Sequence, residues 1–198
     1  SDVRIKELPF LYDNVGQIDK VNQALLPHFK KKFLEKGYVY LGNAEAGFVY
    51  IMSNKPIRKL PDASGVKFWM WAGDPLAGAL FKEFKITPIP LALPDVLTSL
   101  QTNLIDAVYA PPLGAVALQW FTRTKYMTNV KFTNSTGGMV VSKKYFDTLP
   151  PDLQKILKEV GAKSCRDLIQ VTRSDNKKSI EAMKRSGIQL VDVAPADL

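Results

Sequence analysis

The chain has 198 residues, 46% of them hydrophobic, enough to build a buried core in one large domain or two small ones. Its net charge of +8 comes from 27 Lys and Arg against 19 Asp and Glu, but the basic clusters Lys30 to Lys32, Lys143-Lys144 and Lys177-Lys178 fall on separate elements and carry no RNA- or DNA-binding signature. That pattern reads as a solvated basic face and argues against nucleic acid as a partner. A single cysteine, Cys165, and a single histidine, His28, exclude an intramolecular disulfide and the Cys-His and Ser-His machinery of most hydrolases, and no spacing suggests a metal or cofactor site.

From Gly16 to Lys36, Ile18, Val21, Leu25, Phe29 and Phe33 recur at three- and four-residue steps, which predicts an amphipathic helix ended by Gly37. Strands are predicted at Tyr38 to Leu41 and at Phe48 to Met52, the second closed by Ser53-Asn54-Lys55-Pro56. Residues 66 to 71 alternate, with Lys67, Trp69 and Trp71 on one side and Val66, Phe68 and Met70 on the other, as in a covered parallel strand. Asp74 then reads as an N-cap and Pro75 as the first helical residue. Ligands in open α/β sheets sit at carboxyl ends of strands beside helix N-termini, and this corner supplies both parts; it also fits an ordinary core corner.

A helix from Pro75 to Phe84, a strand Thr87 to Leu91, a helix from Pro94-Asp95 to Asn103 and a strand Ile105 to Tyr109 follow. The alternation predicts right-handed crossovers and a mostly parallel sheet. Leu113 to Arg123 reads as a helix with Trp120 in the core, and Asn129 to Phe132 and Met139 to Val141 read as strands. From Pro151 to Gly187 the apolar spacing predicts one long helix of about 50 Å, at about 1.5 Å per residue, with Gly161 and Arg173 to Lys177 as its kink points. Such a helix is longer than a small domain is wide and is expected to span two lobes; Gly187 to Val193 reads as a closing strand. No apolar run is long enough to cross a bilayer, so the chain is not expected to be membrane-embedded.

In order along the chain stand Glu7-Leu8-Pro9-Phe10-Leu11, Ser53-Asn54-Lys55-Pro56-Ile57-Arg58, Gly65-Val66-Lys67, Leu97-Thr98-Ser99-Leu100-Gln101-Thr102-Asn103, Asp106, Val141-Ser142-Lys143-Lys144 and Leu149-Pro150-Pro151-Asp152-Leu153-Gln154-Lys155. Each motif is weak alone. Together, in this order and spacing, they resemble the DctP-type substrate-binding subunit of TRAP (tripartite ATP-independent periplasmic) transporters. The resemblance implies an α/β fold, a two-lobed periplasmic binding protein of type II-like architecture, exported to the periplasm from a precursor with a signal peptide. It implies capture of a small-molecule ligand in the inter-lobe cleft and delivery to TRAP membrane subunits. It also implies further N- and C-terminal segments, leaving lobe one incomplete. Residues 1–47 are then expected in lobe one, 48–136 in lobe two, 137–176 in lobe one and the spanning helix, and 177–198 back in lobe two.

The resemblance also places the family's ligand positions on this chain. The strand arginine that clamps a ligand carboxylate falls at Trp69, a second arginine position at Val49, the pocket asparagine at Ala110 and the pocket aromatic at Leu93, while Tyr109 stands where an acidic residue is common. Each departure moves toward apolar or aromatic, and tryptophan offers one N–H and a π-face where arginine offers a charged fork. Three ligand readings follow. A neutral, partly apolar or aromatic molecule would be held by Trp69, Trp71, Leu93 and Tyr109 and oriented by Asn134 or Ser135. A cation would use an aromatic cage with Asp74 as counter-ion. A monocarboxylate would use the helix start at Pro75 and Lys67.

An enzyme has little support, because no paired carboxylates or activated nucleophile appear at useful spacing. An effector-binding or sensor domain on the same bilobal fold is the alternative, since fold alone does not determine function.

Overall fold

The computed structural model describes residues 2–194 and 196, so residues 195, 197 and 198 of the expected 177–198 return segment lie outside the described residues. The chain forms two compact units, one of Ser1–Gly47 with Thr133–Asp175 and one of Phe48–Phe132 with Asn176–Leu198. In chain order the elements are α1 (Val15–Glu35), β1 (Tyr38–Ser53), β2 (Trp69–Trp71), α2 (Pro75–Glu83), β3 (Ile89–Leu91), α3 (Val96–Gln101), β4 (Ala107–Ala110), α4 (Pro112–Ala117), β5 (Tyr126–Thr128), β6 (Thr133–Ser142), α5 (Lys143–Phe146), α6 (Pro151–Arg185) and β7 (Gln189–Val191).

In the first unit, α1 starts where Asn14 accepts from the Gln17 N–H and buries Ile18, Asn22 and Phe29 on one side. It stops at Gly37, whose φ of 81° is the left-handed conformation glycine reaches without a Cβ penalty. Helix α6 lies close to β1 because glycines stand at both approach points: a Cβ on Gly42 would come within 2.7 Å of the Cys165 Cβ, and one on Gly161 within 3.1 Å of Leu41. Tyr40 is buried and stacked on Phe33 at 5.0 Å, and its hydroxyl donates to Asn43 Oδ1 at 2.8 Å. Burial, with a smaller contribution from Cys165, pushes the Tyr40 phenol up to about 12. A raised phenol contributes stability that is intact below pH 10 and lost as pH rises toward 12. The first unit is therefore expected to lose stability over that window, and Tyr40→Phe to flatten the loss. Equal slopes for the two proteins in urea melts from pH 9 to 12 would refute this.

The second unit is built on the order β4-β1-β5-β7. Strand β1 runs antiparallel to β4, with Tyr50 opposite Ala110 and Ser53 opposite Ala107, and antiparallel to β5, with Met52 opposite Met127. β5 is parallel to β7, and β2 is parallel to β3. The expectation of mostly parallel sheets is thus corrected to a mixed arrangement. Strand-helix alternation does produce the parallel β2–β3 pair, but alternation says nothing about which strand inserts beside β4 and β5. That strand is β1, and it runs the other way.

Four local expectations also change. The two short strands predicted at 38–41 and 48–52 are one strand of 16 residues, which continues through Gly42 and through Gly47, where φ is 115° and the strand relies on glycine. The predicted strand over 66–71 shortens to Trp69–Trp71, preceded by a single parallel bridge from Phe68 to Ala107. The predicted helix 113–123 divides into α4 and a 3₁₀ turn, Trp120–Arg123, at Gln119, whose φ is 58°. The strand predicted at 129–132 lies earlier, at Tyr126–Thr128, where Thr128 donates to the Ile57 carbonyl at 3.1 Å. Helix α6, in contrast, runs unbroken for 35 residues. Gly161 packs on Leu41 instead of kinking, and Arg173 is held by ion pairs.

The core of the second unit gathers Met52, Trp69, Val96, Leu100, Ile105, Val108, Trp120, Met127, Met183 and Ile188, and a second cluster gathers Ile57, Ala63, Val66, Phe68, Phe81 and Ala107. Tyr109 packs against both.

Candidate functional site

At the carboxyl ends of the parallel strands β2 and β3 the chain turns through Trp71, Ala72 and Gly73 into α2. Gly73 has a φ of 81°, and the Asp74 N–H donates to the Trp71 carbonyl at 3.1 Å, closing the turn. Asp74 Oδ1 then accepts from the Leu76 and Ala77 N–H groups at 3.0 and 3.1 Å, so it is the N-cap of α2, as its sequence position predicts. A carboxylate here occupies the very donors that an anionic ligand would use at a helix start.

Strand alternation separates the two tryptophans less than their burial does. Trp69 is 2% exposed and Trp71 53%. The Trp69 indole N–H donates to the Leu91 carbonyl at 3.1 Å. Its ring stacks on Tyr109 (5.0 Å, 28°) and meets Trp120 edge-on (5.1 Å, 70°). Trp120 is 2% exposed, in keeping with the core role read from sequence. The Tyr109 hydroxyl accepts from the Trp71 backbone N–H at 3.2 Å, so the stacked pair is tied to the strand end that carries the exposed indole.

Of the remaining sequence-derived positions, Leu93 is half-buried and opens the 3₁₀ turn Leu93–Asp95 that leads into α3. Val49 is buried on β1, its carbonyl accepting from the Phe132 N–H at 3.0 Å, and Ala110 is buried at the end of β4 opposite Tyr50. Asn134 is 1% exposed and belongs to the first unit, with its Oδ1 buried and unpartnered among the described residues. The structure thus brings Trp69, Trp71, Tyr109 and Asp74 together in the second unit and gives Val49 and Ala110 sheet positions. Lys67, invoked for a carboxylate, is engaged at the other end of β2: its ammonium bonds the Asn103 carbonyl and lies 3.8 Å from Asp106.

Sequence reading did not single out the buried charges of the first unit. Arg173 on α6 donates to both Glu45 oxygens at 3.0 and 2.7 Å and to both Asp19 oxygens at 3.0 and 2.7 Å. Burial lowers the tendency of the guanidinium to hold its proton, but the hydrogen bonds to Glu45 and Asp19 outweigh it and keep it charged. Lys6 is 2% exposed, donates to Asn22 Oδ1 at 3.0 Å and sits 4.9 Å from the Phe29 ring centre; desolvation lowers its pKa against the pull of Glu7 and Glu45. These partners are far apart in sequence, so no local pattern announces them. Among the described residues no group of three or more His, Cys, Asp or Glu is placed to hold a metal, and no helix is long and apolar enough to cross a membrane.

A family model for DctP, described as bacterial extracellular solute-binding protein, family 7, matches residues 1–198. The chain belongs to the DctP family. Among curated relatives, it is 26% identical over 191 residues to the 2,3-diketo-L-gulonate-binding periplasmic protein YiaO of Escherichia coli K12, a match covering 96% of this chain and 58% of YiaO. This DctP-family chain therefore spans somewhat more than half of that relative's length. Its fold is that of TRAP periplasmic solute-binding proteins. It superposes with a TM-score of 0.89 on the one from Sulfitobacter sp. NAS-14.1 with bound β-D-galacturonate, at 24% identity and covering 96% of this chain and 64% of that one. It superposes at 0.90 on the one from Pseudomonas aeruginosa PAO1 with bound L-malate, at 14% identity and covering 100% and 69%.

Proposed function

We propose that the protein carrying this chain is a periplasmic solute-binding protein that captures a small molecule and delivers it to a TRAP membrane permease without chemical turnover. In this reading the first unit is lobe one and the second is lobe two. The ligand is neutral and partly apolar or aromatic, and the second unit meets it with Trp71 and Leu93, backed by the buried Trp69–Tyr109 pair. The observation that carries the reading is the exposed Trp71 indole at the carboxyl end of β2, backed by stacked aromatics and flanked by a helix start already occupied by Asp74. The ligands named for the relatives above are carboxylates. Here the clamp arginine position holds a tryptophan whose N–H is already bonded, and Lys67 is paired away from the site. A large exposed aromatic face favours flat or apolar solutes.

The test is a thermal-shift and calorimetric screen of neutral aromatics, organic cations and carboxylates. A ligand at 100 times its dissociation constant stabilises by about 2.7 kcal/mol. A neutral aromatic is expected to give a saturable shift that Trp71→Ala weakens about tenfold or more, equivalent to about 1.4 kcal/mol, while leaving the unliganded melting temperature unchanged. Stabilisation confined to carboxylates and unaffected by Trp71→Ala would overturn the ligand assignment.

A further inference from the structure

The second unit contains an open pocket of about 310 Å³ lined by two loops, residues 63–67 and 85–87. These loops enter β2 and β3, so the pocket lies at the amino ends of the parallel pair, whereas Trp71, Asp74 and Leu93 follow the carboxyl ends. No acidic side chain is among the lining residues. The lining supplies donors instead. The Lys85 ammonium, the Ser64 and Thr87 hydroxyls and the Gly65 and Thr87 N–H groups have no partner among the described residues. Lys67, on the same wall, is already neutralised by Asp106 and held by the Asn103 carbonyl.

The backbone at Lys85 adds a second, independent observation. Its N–H donates to the Lys82 carbonyl at 3.1 Å and the Ile86 N–H donates to the Phe81 carbonyl at 2.9 Å, the paired bonds of a Schellman motif ending α2. Lys85 is the left-handed residue of that motif, with φ of 54°, where glycine is the unstrained choice. Across the pocket Gly65 takes the same kind of conformation, φ 70°, and a Cβ there would meet nothing within 4 Å. A strained lysine thus faces an open, donor-rich pocket that carries an unneutralised positive charge. Nearby α2 carbonyls favour a cation at this helix end, but they would do so equally from an unstrained neighbour such as Lys82.

We propose that this pocket binds a small free oxyanion, a carboxylate or phosphate group, held by the Lys85 ammonium, the Ser64 and Thr87 hydroxyls and the Gly65 and Thr87 N–H groups. Its volume is at the small end for ligand pockets, which suits a compact anion. Several donors converging on one oxyanion, one of them charged, are the ordinary means of holding such a group. The site is separate from the solute site at the opposite strand ends.

The test is a ¹⁵N NMR titration of the protein carrying this chain with inorganic phosphate and, separately, acetate, at ionic strength held constant with sodium chloride. The Gly65 and Thr87 amides are expected to shift saturably with at least one anion, and the arm that saturates tells phosphate from carboxylate. Lys85→Gly is expected to raise the melting temperature by relieving strain and to weaken anion binding about tenfold or more, the loss of one charge-assisted contact. Ser64→Ala should weaken it less. Stabilisation by a neutral aromatic solute should be unchanged in Lys85→Gly, which keeps failure here distinct from failure of the solute assignment. Shifts that map elsewhere, that fail to saturate with both anions, or that are equal in wild type and Lys85→Gly would overturn the proposal.

Discussion

Replacing Trp69 with alanine is expected to lower the unfolding free energy of the second unit by about 3–5 kcal/mol, the range for deleting a fully buried aromatic. The side chain is 2% exposed, meets Tyr109 and Trp120 face-on and edge-on, and donates to the Leu91 carbonyl. Removing it leaves a cavity beside the two rings and takes one of two donors from the Leu91 carbonyl, which keeps only the Ala72 N–H at 3.3 Å. Trp71→Ala, two residues along the same strand, should change stability by no more than about 0.5 kcal/mol because that indole is 53% exposed. All three tryptophans, Trp69, Trp71 and Trp120, lie in the second unit, so fluorescence-detected urea melts report on that unit. Similar costs for the two substitutions would show that Trp69 is not packed as described.

The second large effect is expected in the first unit. Arg173→Met removes the partner of Glu45, whose side chain is 2% exposed, and strands a buried carboxylate. Breaking a buried pair in this way costs about 3–5 kcal/mol, mostly from the charge left behind. The double variant Arg173→Met with Glu45→Gln should recover part of that loss, because the stranded charge is gone, so the two changes are not additive. Asp19→Ala should cost no more than about 1 kcal/mol, since its carboxylate is 55% exposed and water replaces the pair. Hydrogen exchange of α1 and of the first-unit part of α6 reads this unit locally. Arg173→Met with unchanged protection would eliminate the triad as a determinant of stability.

Local features carried well from sequence to structure. The three- and four-residue spacing of Ile18, Val21, Leu25, Phe29 and Phe33 yields α1, and the long apolar register after Pro150 yields α6 without a break. Asp74 caps α2 because cap chemistry involves groups two and three residues apart. The order and spacing of the motifs from Glu7 to Lys155 were enough to identify the DctP family, which the match over residues 1–198 shows. The direction of β1 was not legible. Whether that strand sits between β4 and β5 depends on pairing across tens of residues, and hydrophobic alternation is the same whichever way a strand runs.

At the candidate site the sequence by itself determined the residue types and their place at the end of a strand before a helix, because those follow from local patterning. Only the tertiary structure decided which tryptophan is packed and which is presented. Trp69 and Trp71 share a strand face, yet Trp69 lies under Tyr109 and beside Trp120, from β4 and the turn after α4, while Trp71 stays 53% exposed. The Arg173 triad is of the same kind, with partners 128 and 154 residues away. Burial and long-range ion pairing depend on where the rest of the chain comes to lie, and that arrangement is encoded by the whole sequence instead of by any segment of it.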